Sequence, residues 1–266
     1  MLKRLKKYLK YKIVNLYELR YGTFYFRHTG FCPCCEKNTV FIANHHWLRD
    51  HFKCNNCGCI PRERALMQVI KKQYPNWEYL TIHESSPGNR GHSVLLRQKV
   101  DNYIQTHYFP NKKLGGLVNG YRNENLEQQT FEEECFDLVV TSDVMEHIYH
   151  PDQAFKEIHR TLKQGGAHVF SVPLVNKHKT SERWANLGDN GVLEFLQEPD
   201  WHDNPIDKKG SPVTFHWGYD IKEYIEKHTD AECEIIYLDN LDLGIRAEYI
   251  EIIVAKKSVK CINYDQ

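Results

Sequence analysis

No run of about 18 apolar residues occurs in this chain, so a membrane-spanning helix is not expected. Excess charge is missing too. Thirty-five Lys and Arg residues balance 35 Asp and Glu residues, which leaves no global basic field to gather nucleic acid, although a local patch remains open. The opening segment, Met1 to Lys10, lacks an apolar stretch long enough for the core of a secretion signal, so a cytoplasmic location is expected. In that setting a disulfide framework is disfavoured. The 266 residues suffice for a full α/β core with a small extra module. Oligomeric state is not legible.

Against these absences, nine cysteines stand out. Cys32-Pro-Cys-Cys35 and Cys54-Asn-Asn-Cys57 form two CxxC pairs. Each pair bends into a knuckle that presents two thiolates, and two knuckles complete a tetrahedral site that favours Zn²⁺ over harder ions. The expected ligands are Cys32, Cys35, Cys54 and Cys57. Cys34 and Cys59 are surplus, and either can replace a neighbour, so the choice of four stays open. Residues 29–60 are expected to form a zinc ribbon whose metal is structural, because a module of about 40 residues cannot build a sufficient apolar core. The ribbon either forms one wall of a substrate cleft or reads nucleic acid. Before it, residues 1–28 read as a basic amphipathic helix, with Leu2, Leu5, Leu9, Ile13 and Leu16 on one side. That helix packs on the body or makes a peripheral membrane or partner contact.

Pro61 to Lys72 predicts a helix with Leu66, Val69 and Ile70 facing a sheet. Arg62 and Arg64 near its start are either a solvated face or a clamp for an anionic group. Further on, Phe136 to Val140 reads as a buried strand ending in the polar tip Thr141-Ser142-Asp143. Glu146-His147 follows, then a helix from near Pro151 with Ala154, Phe155, Ile158 and Leu162 on one face, a stop at Gly165-Gly166 and a second strand, Ala167 to Val172. This is a β-α-β crossover, and in open parallel sheets ligands bind at the carboxyl ends of strands.

The wording of residues 136–174 closely resembles the fourth strand, following helix and fifth strand of class I S-adenosylmethionine-dependent methyltransferases. Phe-Asp-Leu-Val-Val, Glu-His and Leu-Lys-x-Gly-Gly are the matching steps. The resemblance implies a Rossmann-like, doubly wound α/β sheet, mostly parallel with an antiparallel last strand, over residues 61–258. It also implies S-adenosylmethionine as cofactor. The first strand is expected at Tyr79 to Ile82, and His83-Glu84-Ser85 then stands where that family has a Gly-x-Gly turn, with Gly88 and Gly91 coming late. Cofactor contacts are implied at Glu84, Ser85 and Ser86, with Glu84 pairing with the ammonium. Gln105 and Thr106 close the second strand, Val100 to Thr106, where an acidic residue is usual. Asn125 and Leu126 take the adenine contact, and Ser142, Asp143 and His147 complete the set. The ribbon together with Arg-Glu-Arg-Ala-Leu, His-Tyr-Phe-Pro and Trp-Gly-Tyr-Asp is similar to a bacterial subgroup of zinc-ribbon methyltransferases.

Residues 176–214 lack clear periodicity and read as an inserted lid or substrate loop. It gathers Trp201, His202 and Asp203, and Phe215-His216-Trp217 follows. His202 and His216 are the candidates for a general base, or else they only tie the loop together. Trp201 and Trp217 either stack a planar acceptor or anchor the lid. A helix over Ile221 to Lys227 and strands at Cys233 to Leu238 and Tyr249 to Ala255 complete the expected fold. The expected activity is methyl transfer to a small-molecule or saccharide acceptor, on oxygen. An RNA methyltransferase and a non-catalytic binding protein are the alternatives.

Overall fold

In the computed structural model, which describes residues 26–188, 191–204 and 206–259, the CxxC pairs sit on a small antiparallel sheet. β1 (Phe26–Cys32) pairs with β2 (Lys37–Ala43), and β2 pairs with β3 (Lys53–Cys54). A four-residue helix, α1 (Leu48–His51), spans the gap between β2 and β3. β1 begins at Phe26, so residues 26–28 are strand rather than the end of an amphipathic helix. The rest of that expected helix, residues 1–25, lies outside the described residues.

α2 (Pro61–Gln73) begins at its proline, which lacks the N–H that a first turn leaves unpaired anyway. Glu63 Oε2 accepts from the Ile60 amide and satisfies one end group. Then come β4 (Ile82–Ser85), α3 (Gly91–Lys99), β5 (Tyr103–His107), β6 (Leu117–Val118), β7 (Tyr121–Asn123) and β8 (Phe136–Ser142). α4 (Pro151–Thr161) leads to β9 (Leu162–Ser171). The helix ends at Thr161 with Leu162 already extended, short of the stop expected at Gly165-Gly166, and Gly165 (φ +74°) falls inside β9, which begins five residues before the expected Ala167.

Both leading strands start three residues later than the sequence suggested. Trp77–Tyr79 is a single 3₁₀ turn, and the first strand is Ile82–Ser85. Val100 closes α3 through its amide to the Leu96 carbonyl, and the second strand starts at Tyr103. Residues 176–214 also differ from expectation. Three short antiparallel ladders hold this region: β10 (Glu182–Arg183) with β15 (Phe215–His216), β11 (Ala185–Leu187) with β12 (Leu193–Phe195), and β13 (Trp201–His202) with β14 (Ser211–Pro212). α5 (Ile221–His228), β16 (Ala231–Ile236) and β17 (Ile252–Lys257) follow.

The main sheet has the order β16-β17-β9-β8-β4-β5-β7-β6. β9, β8, β4, β5 and β7 run parallel, and β17 inserts antiparallel between β9 and β16. This is the doubly wound, mostly parallel Rossmann-like arrangement with an antiparallel last strand. Alternation along the strands defines two layers. Leu138 and Val140 of β8 pack with Leu66, Ile70 and Leu96 of α2 and α3. Phe136 and Val139 pack with Phe155, Ile158 and Ile221 of α4 and α5.

The small sheet joins the first of these layers. Phe41 and Phe52 belong to the same buried cluster as Leu66 and Val140. Arg64 is fully buried, neither solvated nor a clamp, and its guanidinium donates to the Gly244, Phe52 and Cys59 carbonyls. At Gly30 of β1 an added Cβ would lie 2.1 Å from the Asp242 carbonyl oxygen. Only glycine permits that approach.

Candidate active site

A cavity of about 540 Å³ opens at the carboxyl ends of β4, β5 and β8, within the roughly 300–1,000 Å³ usual for small-molecule sites. One side is the turn between β4 and α3. Because β4 ends at Ser85, the turn comprises Ser86 to Arg90 and already contains Gly88. Ser86 holds φ +58° there, the left-handed conformation that glycine ordinarily supplies. The first turn of α3 follows, and His92 and Ser93 line the wall.

Glu84 forms the floor, 1% exposed. It accepts from the Ser93 hydroxyl and, at 2.7 Å, from Tyr103 Oη, and it lies 3.2 Å from His92 Nε2. Burial would raise its pKa, but His92, Ser93 and Tyr103 hold it below the usual carboxylate range. His92 shows the reverse balance. Burial disfavours its charge, and the Glu84 carboxylate keeps its pKa above the ordinary value.

The opposite side is the tip of β8. Asp143 has φ +53°. Its carboxylate receives Arg49 Nη2 at 2.8 Å and lies 2.9 Å from Arg62 Nε. Burial pushes its pKa up, yet the two guanidinium groups outweigh this and hold it at about 2. Arg49 comes from α1, so the small cysteine-bearing sheet reaches the cavity through this ion pair. Beyond the tip, His147 lines the cavity and its Nδ1 donates to the Pro212 carbonyl at 2.8 Å. Behind it, Glu146 is 2% exposed, and neither carboxylate oxygen has a hydrogen-bond partner among the described residues. The β13–β14 hairpin sets His202 Nδ1 at 3.6 Å from Glu146 Oε1. That carboxylate raises the His202 pKa against the opposing effect of burial. Asp203, Asn204, Ser211 and Pro212 close this wall.

Among residues expected to hold cofactor, Glu84, Ser86, Ser142, Asp143 and His147 line the cavity. Ser85, Gln105, Thr106, Asn125 and Leu126 do not. Gln105 accepts from Arg97, Thr106 meets His83 at 2.9 Å, and Asn125 Oδ1 accepts from the Glu127 amide. Leu126 is buried with Phe136. His107 and Tyr108 occupy the end of β5 instead. Neither candidate base lines the cavity: His202 lies behind its wall, beside Glu146 and next in sequence to the lining residue Asp203. His216 stacks on Trp184, ring centroids 3.8 Å apart, with Nε2 3.4 Å from Asp200. Burial lowers its pKa. Trp217 is fully buried against Phe215 and donates to the Met145 carbonyl, whereas Trp201 is exposed. His92 and Ser93 were not foreseen, although their place in the first turn of a helix just after a glycine-bearing loop is a usable signal.

The cysteines gather as well. The Sγ atoms of Cys32, Cys35, Cys54 and Cys57 all lie within 4.8 Å of one another, with Cys32–Cys57 at 3.8 Å and Cys35–Cys54 at 3.9 Å. A tetrahedron with Zn–S bonds of about 2.3 Å has edges of about 3.8 Å. Cys59 lies 3.3 Å from Cys32, and Cys34 donates to the Glu63 carbonyl.

A family profile described as Methyltransferase domain matches residues 94–170, from α3 through β9. Over that span the chain is similar to a methyltransferase domain. It is similar to ubiquinone biosynthesis O-methyltransferase of Ruegeria pomeroyi, 28% identical over 123 residues, which is 38% of this chain and 49% of that protein. The protein of the same name from Cereibacter sphaeroides is 26% identical over 137 residues, 44% of this chain and 55% of that one. The chain thus spans about half the length of these curated relatives. Among solved structures, an S-adenosylmethionine-dependent methyltransferase from Mesorhizobium loti superposes with TM-score 0.46 at 14% identity, covering 73% of this chain and 98% of that one. The cavity described above lies within and beside the matched span of the methyltransferase domain.

Proposed function

We propose that the chain transfers the methyl group of S-adenosylmethionine to a hydroxyl oxygen of a small-molecule or saccharide acceptor in the cytoplasm, and that Cys32, Cys35, Cys54 and Cys57 hold a structural zinc. The observation that carries the reading is the two-sided cavity. One side offers backbone and a helix N-terminus at Ser86 to Ser93, and the other offers His147, with Glu146 and His202 behind it. The relatives' names, as O-methyltransferases, support oxygen as the acceptor atom. The thiolate spacing supports zinc, and no helix among the described residues is long and apolar enough to cross a membrane.

When bound, the cofactor supplies an electrophilic methyl group. Ser86, Gly88 and the first turn of α3 hold its amino-acid end, with Glu84 fixed beneath by His92, Ser93 and Tyr103. Ser142 and Asp143 face it from the β8 tip. The chain's remaining tasks are to align the acceptor hydroxyl and receive its proton. His147 and His202, backed by Glu146, stand where that proton leaves.

Isothermal calorimetry on the full chain tests the cofactor site, with micromolar binding of S-adenosylmethionine expected. No heat and no thermal shift at millimolar cofactor would leave a non-catalytic protein. His202→Ala should lower turnover by about 10²–10⁴-fold, the range for lost acid-base help, with cofactor affinity unchanged.

A further inference from the structure

We infer that Glu146, His147 and His202 form a second metal site, one for a divalent first-row transition ion at the wall of the acceptor cavity. Three ligand atoms converge there: a Glu146 carboxylate oxygen, His147 Nε2 and His202 Nδ1. Glu146 Oε1 lies 3.7 Å from His147 Nε2 and 3.6 Å from His202 Nδ1. Ligands bound at about 2.0–2.2 Å stand at roughly that mutual distance.

Two observations favour an ion over a plain hydrogen-bonded cluster. The first is Glu146 itself. A buried carboxylate costs several kcal/mol unless paired or coordinated, and this one lacks any hydrogen-bond partner among the described residues. The second is His147. Its Nδ1–H donates to the Pro212 carbonyl, which leaves Nε2 with its lone pair, 3.7 Å from Glu146 Oε1. A backbone carbonyl fixing the far nitrogen of a metal-bound imidazole is the usual outer-shell arrangement. Two imidazoles and a carboxylate suit Zn²⁺, Co²⁺ or Mn²⁺ better than Mg²⁺, and three protein ligands leave positions open.

His147 is shared with the cavity wall, so an open position is available to the acceptor. This task, though not the binding of the ion, rests on the methyl-transfer reading above. A coordinated acceptor hydroxyl has a lowered pKa. With His147 and His202 serving as ligands, the ion replaces them in the base's role: the O–H bond breaks, the proton passes to water, the oxygen attacks the methyl carbon, and the C–S bond breaks to release the neutral thioether.

Cobalt titration of the full chain separates this site from the cysteines. Co²⁺ on thiolates gives near-ultraviolet charge-transfer bands, whereas an imidazole-carboxylate site gives only visible d–d absorption. The wild type should show a d–d component that saturates apart from the thiolate bands. Glu146→Gln and His202→Ala should each weaken it by about 10–100-fold or more, the range already typical of lost outer-shell partners. The thiolate bands and the melting temperature, read on the same samples, establish that each variant is folded. If no d–d component remains in the wild type beyond the one that rises with the thiolate bands, or if the remainder persists unchanged in both folded variants, the site does not exist. Calorimetry with S-adenosylmethionine on the same protein keeps the two readings apart. Cofactor binding without the second metal signal overturns only the metal site, and the metal signal without cofactor binding overturns only the methyl-transfer reading.

Discussion

Asp143 sits in a left-handed conformation with its carboxylate between two guanidinium groups from different parts of the chain. A non-glycine residue holds such a backbone only where its surroundings impose it. Removing the carboxylate takes from the buried Arg49 its partner at 2.8 Å, while Arg62 keeps Asp50 at 2.7 Å, so Asp143→Ala should cost about 1–3 kcal/mol of unfolding free energy, the penalty for an unmet buried polar group. Urea denaturation of wild type and variant measures this. A cost below about 1 kcal/mol, the level of a surface pair, would show that Arg49 finds water instead. Residues of this kind are poorly legible from sequence. Arg64 reads as a solvated charge because nothing nearby announces that three carbonyls await it. Asp143 was legible as a strand tip and, through the family resemblance, as a cofactor contact, but nothing in the sequence announced its two arginine partners.

At the scale of elements, the β8-α4-β9 unit was readable as strand, helix and strand, with Pro151 opening the helix, but the helix ends at Thr161 and β9 takes in Leu162 and Gly165, which the sequence had assigned to the helix face and its stop. β4 and β5 were readable as strands but not in register. The aromatic and β-branched residues that suggested early starts, Tyr79 and Val100, end a 3₁₀ turn and close a helix. That shift matters for the site, since it moves Gly88 from a late position into the cofactor turn and makes Ser86 the left-handed residue. The ladders of 176–214 have two or three residues per strand, too few for any periodicity to register. Of the site's histidines, local polarity singled out His202, which lies beside Glu146 behind the cavity wall, and their place after the fifth strand also suggested His216, which its pairing strand turns toward Trp184. One element-scale contact is open to direct test. Gly30→Val on β1 should destabilise the chain by about 1–3 kcal/mol, the cost of overpacking, because the Asp242 carbonyl blocks the new Cβ. Thermal melting of the variant checks this, and an unchanged midpoint would mean that the 241–243 turn yields freely.

For the whole molecule, three buried imidazoles set the response to acid. His83 and His168 flank β8 on neighbouring strands, bonded to Thr106 and Thr141. Burial lowers both to a pKa of about 3, and His107 to about 4. An unfolded chain protonates these rings near pH 6.5 and the folded chain only well below it, so stability is lost as pH falls from about 6.5 towards 3. At pH 5 the loss is on the order of 2 kcal/mol for each of His83 and His168. Melting temperature against pH should fall through this window, and His83→Asn with His168→Asn should flatten the slope. An unchanged slope in the double variant would assign the acid response elsewhere.

The way the cysteine-bearing sheet meets the main one also bears on descent. Gly30 needs the Asp242 carbonyl at its back, Arg64 needs the Phe52 carbonyl, and Asp143 needs Arg49. None of these requirements is confined to one side of residue 60. A recombination event that joined this amino-terminal piece to another methyltransferase sheet would bring a glycine with nothing to approach, and would strip an arginine from the tip of the recipient's fourth parallel strand. The two pieces can therefore change only in step, each substitution on one side screened by its counterpart on the other. They constitute a single unit of inheritance, although the cysteine motif alone looks like a portable module.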